Sequence, residues 1–379
     1  MDIKSLMLRF FVIVLNIVYI PMKLFPVKKK VVFISRQSDK VTMDIGMLSE
    51  YIKENYPDVK CVVLAKTISH SIIGIFSYGI HLFAQMYHVS TSKIVVIDGY
   101  CIVVSILKHK KTTRIIQMWH ALGAVKKFGY QTLDKPFGHN SKTAQIMRMH
   151  ENYSYILCPS EATGEHFAKA FNANKKTLKY LGLPRIDYLV KNDENTAEQI
   201  RGYYNITGQR KIVLYVPTFR KNSKVDLDSL VKAFDFNKYI LVVKLHPLDI
   251  ENLAKEKINI SNGVIIDDRF TSYQWMNVCD KIITDYSALG IEATLKEKPV
   301  YFYIYDYKDY VKEVGLNINI KEEMCGYAEE NAVILCKKME EKYDFDILNK
   351  FKRKYISVKL NNCTERLAEF IVGLMEDGK

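Results

Sequence analysis

Apolar residues in this chain fall in short unbroken runs, each followed by a longer stretch in which apolar and polar positions recur at helical spacing. Val31–Ser35, Cys61–Ala65, Ile94–Asp98, Ile115–Trp119 and Ile156–Pro159 are such runs, and Met43–Asn55 is the first helical stretch among them. Unbroken rather than alternating hydrophobicity marks strands covered on both faces, as in a parallel sheet. A polar, charged stretch from Lys191 to Lys211 interrupts the series. Beyond it the same grammar resumes with Ile212–Val216, Ile240–Lys244, Val264–Ile266, Lys281–Thr284 and Val300–Phe302. Two βα-repeating halves predict an α/β chain of two Rossmann-like, doubly wound domains facing each other. At 379 residues the chain also exceeds what a single core usually holds. We place an N-terminal helix at 1–27, the first domain at 28–195, the second at 205–350, and a C-terminal helix at 351–379 that folds back over the first domain.

The N-terminal segment has its own pattern. Leu6 to Ile20 is almost entirely apolar, with Lys4 and Arg9 at its start and Lys28-Lys29-Lys30 behind it. No small-residue cleavage site follows, so a secretory leader does not fit. The run is short for a bilayer span, which takes ~20 apolar residues. A helix lying in the membrane interface, its basic residues toward anionic headgroups, fits best. A single membrane anchor and a helix packed on the domain's own surface are the alternatives.

Charge widens this picture. Lys and Arg number 55 against 42 Asp and Glu, a net charge of +13, which calls for an anionic partner. Nucleic acid, an acidic leaflet and a phosphorylated substrate all qualify. The basic residues are dispersed, with no interleaved basic–aromatic module, and this argues against nucleic acid. Cys61, Cys101, Cys158, Cys279, Cys325, Cys336 and Cys363 form no C-x-x-C pair. They read as buried, reduced thiols of a cytoplasmic protein, without disulfide framework or zinc site.

In doubly wound sheets the ligand lies beyond the carboxyl ends of the strands. Ile115–Met118 runs into Trp119-His120-Ala121-Leu122-Gly123, which places His120 as a candidate base, with Lys126 and Lys127 beyond it for a phosphorylated group. Leu241–Val243 runs into Lys244-Leu245-His246-Pro247, where Pro247 fixes the turn and aims His246 out of the strand end. In Thr284-Asp285-Tyr286-Ser287-Ala288-Leu289-Gly290-Ile291-Glu292-Ala293 a strand passes into a helix that we start at Ser287. Its N-terminus and the Ser287 hydroxyl suit a phosphate, and Glu292 suits a ribose hydroxyl pair. Thr218 and Arg220, after the first strand of the second half, join Lys244 as candidate diphosphate partners. Each of these residues has a structural reading too: a core histidine, a turn, a plain helix cap, a solvated cation.

Seven colinear strings across residues 25 to 310 resemble the CDP-glycerol glycerophosphotransferases of teichoic-acid synthesis. They are F-P-V-K-K-K-V-V-F-I-S-R (25–36), Q-M-W-H-A-L-G-A-V-K-K-F-G (117–129), P-S-E (159–161), L-G-L-P-R-I-D (181–187), Y-V-P-T-F-R (215–220), V-K-L-H-P (243–247) and T-D-Y-S-A-L-G-I-E-A (284–293). The resemblance implies a GT-B architecture, with an interdomain cleft between an acceptor-binding first domain and a CDP-donor-binding second one. It implies peripheral attachment to the cytoplasmic face of the bacterial membrane. The family's two functional histidines map onto His120 and His246, and its nucleotide-diphosphate contacts onto Arg220, Thr284, Asp285, Ser287 and Glu292. Two strings depart from the pattern: Trp119-His120-Ala121 stands where W-H-G is common, and the region after Tyr307 lacks R-G-L and P-G-P. Donor identity, glycerol or ribitol, therefore stays open.

The reaction so implied moves a glycerol- or ribitol-phosphate unit from CDP-glycerol or CDP-ribitol to an undecaprenyl-linked saccharide or polyol-phosphate acceptor and releases CMP. His120 is the expected general base, with His246 and the helix start at Ser287 stabilising the diphosphate. The strings that carry these candidates contain no D-x-D or clustered carboxylates, so no essential metal is expected, with Mg²⁺ on the diphosphate the one candidate. A nucleotide-sugar glycosyltransferase or capsule polymerase of the same architecture is the nearest alternative. A basic membrane- or nucleic-acid-binding protein is the alternative of another class.

Overall fold

The computed structural model describes residues 2–68, 71–220, 224–245 and 263–376. They form two compact units. The first comprises Met1–Leu122, Lys127–Tyr188 and Ser357–Lys379, the second Gly123–Lys126 and Leu189–Ile356.

In the first unit β1 (Lys28–Ser35), β2 (Lys60–Ala65), β3 (Ser92–Ile97), β4 (Arg114–Gln117), β5 (Tyr155–Cys158) and β6 (Leu178–Tyr180) make one sheet in the order β2-β1-β3-β4-β5-β6. All its pairings are parallel. In the second, β7 (Lys211–Tyr215), β8 (Tyr239–Val243), β9 (Val264–Ile266), β10 (Lys281–Thr284), β11 (Val300–Tyr303) and β12 (Ala328–Glu329) make a second parallel sheet, ordered β12-β11-β10-β7-β8-β9. The strand order reverses between β1 and β3 in one sheet and between β7 and β10 in the other, the positions where such sheets take ligands. The unbroken apolar runs are the central strands: Val31, Val32, Phe33, Val95 and Val96 are fully buried. Strands β6 and β12 have no such run. They are two or three residues long at sheet edges, and the exposed Lys179 and Tyr180 give β6 a polar reading.

The N-terminal helix, Ile3–Met22, docks by one face onto the first unit. Leu15 and Tyr19 are buried in a cluster with Val32, Val95 and Val104. Asn16 donates from Nδ2 to the Ile106 carbonyl at 3.0 Å and accepts from the Lys108 N–H at 3.3 Å. Its other face carries exposed Ile3, Leu6, Phe10, Ile13, Ile17 and Ile20. The neighbouring helix Ile72–Ser90 does the same, burying Tyr78, Leu82 and Met86 while Ile73, Phe76 and Ile80 stand 83%, 73% and 60% exposed. Phe25 and Tyr87, with ring centroids 5.8 Å apart, tie the two together. By length and hydropathy Ile3–Met22 could cross a bilayer, yet crossing would strip it from the core contacts and the Asn16 bonds.

The stretch from Lys191 to Lys211 is not an extended linker. The second unit starts at Leu189, and Glu194–Tyr203 is a helix packed on Ser272–Val278, with Tyr204 against Trp275 at 5.5 Å. Nor is the C-terminus one helix. Phe345–Tyr355 belongs to the second unit, and Cys363–Gly373 returns to the first. The L-G-L-P-R-I-D string explains that return. Asp187 accepts from the Cys363 and Thr364 N–H groups at 2.8 and 2.7 Å and from the Thr364 hydroxyl at 2.7 Å, capping the last helix from afar. Two residues earlier, Arg185 donates from Nε and its backbone N–H to Asp44, both at 2.8 Å, with side chains 9% and 2% exposed. Removing one member of such a buried pair strands the other, so Asp44→Ala should cost about 3–5 kcal/mol in urea unfolding. A loss below ~1 kcal/mol would show that the pair does not hold the first unit together.

Candidate active site

In the first unit the site is built on the exit of β4. Gln117 is fully buried; its Nε2 donates to the Gly99 carbonyl at 3.1 Å and its Oε1 accepts from the Trp119 N–H at 2.9 Å. Trp119 adopts φ of 62°, a left-handed backbone that non-glycine residues seldom take. Stacking on Phe128, with centroids 4.6 Å apart, and edge contact with Phe171 at 5.2 Å hold it there. That turn swings His120 back across the sheet to the ends of β1 and β3. Its Nδ1 lies 2.9 Å from the Asp98 carbonyl and 3.1 Å from Gln37 Nε2. A carbonyl only accepts, so the Asp98 contact requires a proton on Nδ1 and makes Nε2 the basic nitrogen. Exchanging O and N of the Gln37 amide removes the competing donor.

Beneath the ring, Asp98 is 2% exposed. Its Oδ2 accepts from the Ser35 hydroxyl at 2.7 Å, while Oδ1 has no partner among the described residues. Burial pushes its carboxyl pKa up to about 6, against the opposing pull of the Ser35 and Thr42 hydroxyls. Gln37 and Asp98 escaped the sequence reading, although Asp98 ends the predicted strand Ile94–Asp98 and Gln37 lies two residues beyond Val31–Ser35.

In the second unit three of the predicted residues after β7 and β10, Thr218, Arg220 and Asp285, bind one another. Asp285 is fully buried; it accepts from the Thr218 N–H at 2.8 Å and the Thr218 hydroxyl at 2.6 Å, and pairs with Arg220 Nη1 at 2.9 Å. The Arg220 fork, expected on a diphosphate, grips Asp306 instead, with Nε at 2.7 Å and Nη2 at 3.2 Å. Its Nη1 also donates to the Thr218 carbonyl at 2.7 Å. Tyr286 and Tyr310 stack at 3.9 Å beside the guanidinium, and the Tyr286 hydroxyl donates to Asp306 at 3.0 Å. Asp306 was missed too; it lies four residues beyond the predicted strand Val300–Phe302.

Other predicted residues also have partners within the second unit. Lys244 pairs with the fully enclosed carboxylate of Asp267 at 2.7 Å, which also accepts from Trp275 Nε1 at 2.8 Å. Thr284 donates its hydroxyl to the Val216 carbonyl at 2.8 Å. The helix expected to begin at Ser287 is only Leu289–Ala293, and the half-buried Ser287 hydroxyl accepts from the Leu289 N–H at 3.2 Å. Glu292 is 2% exposed and accepts from the Tyr273 hydroxyl at 2.6 Å. His246 and Pro247 lie outside the described residues.

Lys126 and Lys127, read together from the sequence as acceptor-side, part company. Lys127 belongs to the first unit, whereas Gly123–Lys126 belongs to the second. There Gly123 packs so closely on Ile291 that a Cβ would sit 2.3 Å from it. Asn317 bonds the Val125 carbonyl at 2.8 Å and the Lys126 carbonyl at 3.0 Å. The Lys126 ammonium has no hydrogen bond or ion pair among the described residues. Burial lowers its pKa, and the nearby Asp285 carboxylate opposes that. Among the described residues it is an uncommitted cation near Asp285.

The sequence profile of the family described as CDP-glycerol:poly(glycerophosphate) glycerophosphotransferase matches residues 18–373. A teichoic acid ribitol-phosphate primase of Bacillus spizizenii is 30% identical over 363 residues, covering 92% of this chain and 92% of the relative. A teichoic acid glycerol-phosphate primase of Bacillus subtilis is 27% identical, covering 86% of this chain and 82% of the relative. A poly(ribitol-phosphate) polymerase of Bacillus spizizenii, also 27% identical, is covered over 58% of its length. Among solved structures, the wall teichoic acid polymerase TagF superposes with a TM-score of 0.73 at 20% identity, over 99% of this chain and 98% of that one. A UDP co-structure of S. aureus MnaA superposes with 0.60 at 13% identity, over 93% and 99%. These likenesses establish the GT-B-like two-domain α/β fold.

The Asp98 carboxyl gives a pH test. Its folded pKa of about 6 lies above the ordinary 3.8, so folding favours the protonated form. Stability is therefore lost as pH rises from ~4 to ~6, by up to ~3 kcal/mol. The stability of the Asp98→Asn protein relative to wild type should grow by about that amount between pH 4 and 7 in urea unfolding. A pH-independent difference would show that Asp98 is not held in this environment.

Proposed function

The chain belongs to the CDP-glycerol:poly(glycerophosphate) glycerophosphotransferase family, and on that footing we propose that it transfers a polyol-phosphate unit from a CDP-polyol to a teichoic-acid acceptor. The acceptor is a lipid-linked saccharide or polyol phosphate. The observation that carries this reading is His120, oriented through Nδ1 on the Asp98 carbonyl at the strand-order reversal of the first sheet. The acceptor hydroxyl gives its proton to Nε2 as its oxygen attacks the phosphorus bearing the polyol. The new P–O bond forms as the bond to CMP breaks, and CMP leaves with the electron pair. Lys126, rather than Arg220, is the cation we assign to the donor phosphates, because Arg220 is already committed to Asp306 and Asp285. His246 would share that charge. We expect no resident metal, Mg²⁺ on the donor diphosphate being the candidate exception. Near-full-length similarity to primases supports addition of one or a few units, with ribitol or glycerol phosphate as the unit.

The same reading needs a membrane-bound acceptor, and the two half-docked helices supply a surface for it. The exposed faces of Ile3–Met22 and Ile72–Ser90 would enter the cytoplasmic leaflet in the interface plane, with Lys4, Arg9, Lys23 and Lys28 toward anionic headgroups.

Incubation with CDP-ribitol or CDP-glycerol and a lipid-linked saccharide should release CMP, and His120→Ala should slow this at least ~100-fold. Release of a nucleoside diphosphate from a nucleotide sugar instead would favour the glycosyltransferase alternative. Near-normal CMP release by His120→Ala would remove its role as base. For the membrane face, Phe76→Asp combined with Ile80→Asp should weaken binding to anionic phospholipid vesicles at least tenfold without lowering the unfolding midpoint. Unchanged co-sedimentation would overturn that assignment.

A further inference from the structure

A cavity of about 190 Å³ opens within the first unit, lined by Tyr130, His150, Phe171 and Asn172 among others. One water takes ~30 Å³ of liquid, so the space suits a ring-sized solute rather than a single solvent molecule. Resting on the transferase reading above, we propose that this cavity is an acceptor subsite for a neutral polyhydroxylated group, a sugar ring of the lipid-linked acceptor.

The lining decides the chemical class. It contains no Lys or Arg, although 55 of the 379 residues are basic, and it includes Glu151. The cation beside the lining, Arg148, is paired with Glu151 at 2.6 Å, so a phosphate or pyrophosphate would meet no free cation there. Tyr130 and Phe171 contribute aromatic surface, and His150 lies against Phe171 at 4.7 Å. Asn172 and Asn174 add amides, which both donate and accept, as sugar hydroxyls do. His150 itself is 8% exposed and bonded through Nδ1 to the Tyr153 hydroxyl at 2.9 Å. Burial drives its pKa down to about 3, so the ring is neutral at working pH. Its Nε2 has no hydrogen-bond partner among the described residues.

The wall is also preorganised. The lining residues His150 and Asn152, and Arg148 just outside the lining, alternate in left-handed backbone, with φ of 62°, 71° and 48°. Such a turn persists only when its surroundings fix it. Asn152 does so, its Nδ2 reaching the carbonyls of Val104, Ser105 and Leu107 at 2.9, 3.0 and 3.2 Å. Phe171 joins the cavity to the base, because the ring that lines it also packs edge-on against Trp119 at 5.2 Å. An occupant of the cavity is thus one side chain removed from the turn that orients His120.

Saturation-transfer NMR on the full chain in detergent would use methyl β-glucopyranoside and its 2-acetamido analogue as probes, with ribitol and glycerol as the competing polyols. The glycosides should receive saturation from wild type and lose it in Ala173→Trp, which fills the cavity from its half-exposed lip. Tyr130→Ala, which removes one aromatic wall, is the second variant should the first not fold. In turnover both variants should raise the acceptor KM at least tenfold, with kcat and donor KM within twofold of wild type. Equal glycoside binding by wild type and the filled protein, no binding by wild type, or an unchanged acceptor KM would each overturn the proposal. Cavity-dependent binding of ribitol or glycerol alone would overturn the sugar assignment in favour of a polyol chain. Should wild type release no CMP from any CDP-polyol, the transferase reading falls, and the NMR comparison still decides whether the cavity takes a sugar.

Discussion

Charged side chains that leave a parallel sheet at its carboxyl edge have little water to turn to, and here they satisfy one another. Asp285 holds Thr218 and Arg220, Arg220 holds Asp306, and Lys244 holds Asp267. An unpaired buried charge would cost several kcal/mol, whereas a hydrogen-bonded set costs little and fixes the turns in one geometry. The rest of the second unit's site follows from this. Thr218, Arg220 and Asp285 spend their polar groups on one another and on Asp306, and Lys126, a cation without such a partner among the described residues, arrives from a distant segment. The first unit solves the same problem with neutral groups. Gln117, the Gly99 carbonyl and the Asp98 carbonyl place His120.

The central strands were legible because burial on both faces leaves an unbroken apolar run, and the residues directly after them were rightly singled out as polar and clustered. Which of them face a ligand was not legible. Arg220 and Lys244 carry the right chemistry for phosphate, but Asp306 and Asp267 lie 86 and 23 residues further along, and only the fold brings them into reach. The short helix after Ser287 fails for a different reason. The string looks like a helix start, yet only Leu289–Ala293 is regular before the chain tightens into a 3₁₀ turn at Thr294–Lys296. Edge strands β6 and β12 and the helix Glu194–Tyr203 were lost because polar composition was read as absence of structure.

The strings that carried the family resemblance prove to be of two physical kinds. Some surround the sites at the strand ends, as Trp119-His120 and Pro217–Arg220 do. Others hold the frame: the buried Arg185–Asp44 pair and the Asp187 cap both draw on one seven-residue string. A matching motif therefore says that a residue is needed, and only its contacts say for what.

Because Gly123–Lys126 is built into one unit while both flanks belong to the other, and because the last helix returns to the first unit, neither half is a continuous piece of polypeptide. Cutting the gene between the halves would leave Asp187 with no helix end to hold and the second sheet without Lys126. An exchange of second units between relatives would have to graft a four-residue island along with the main insert. Recombination within such a chain is thereby confined to breakpoints that keep both islands with their parent cores.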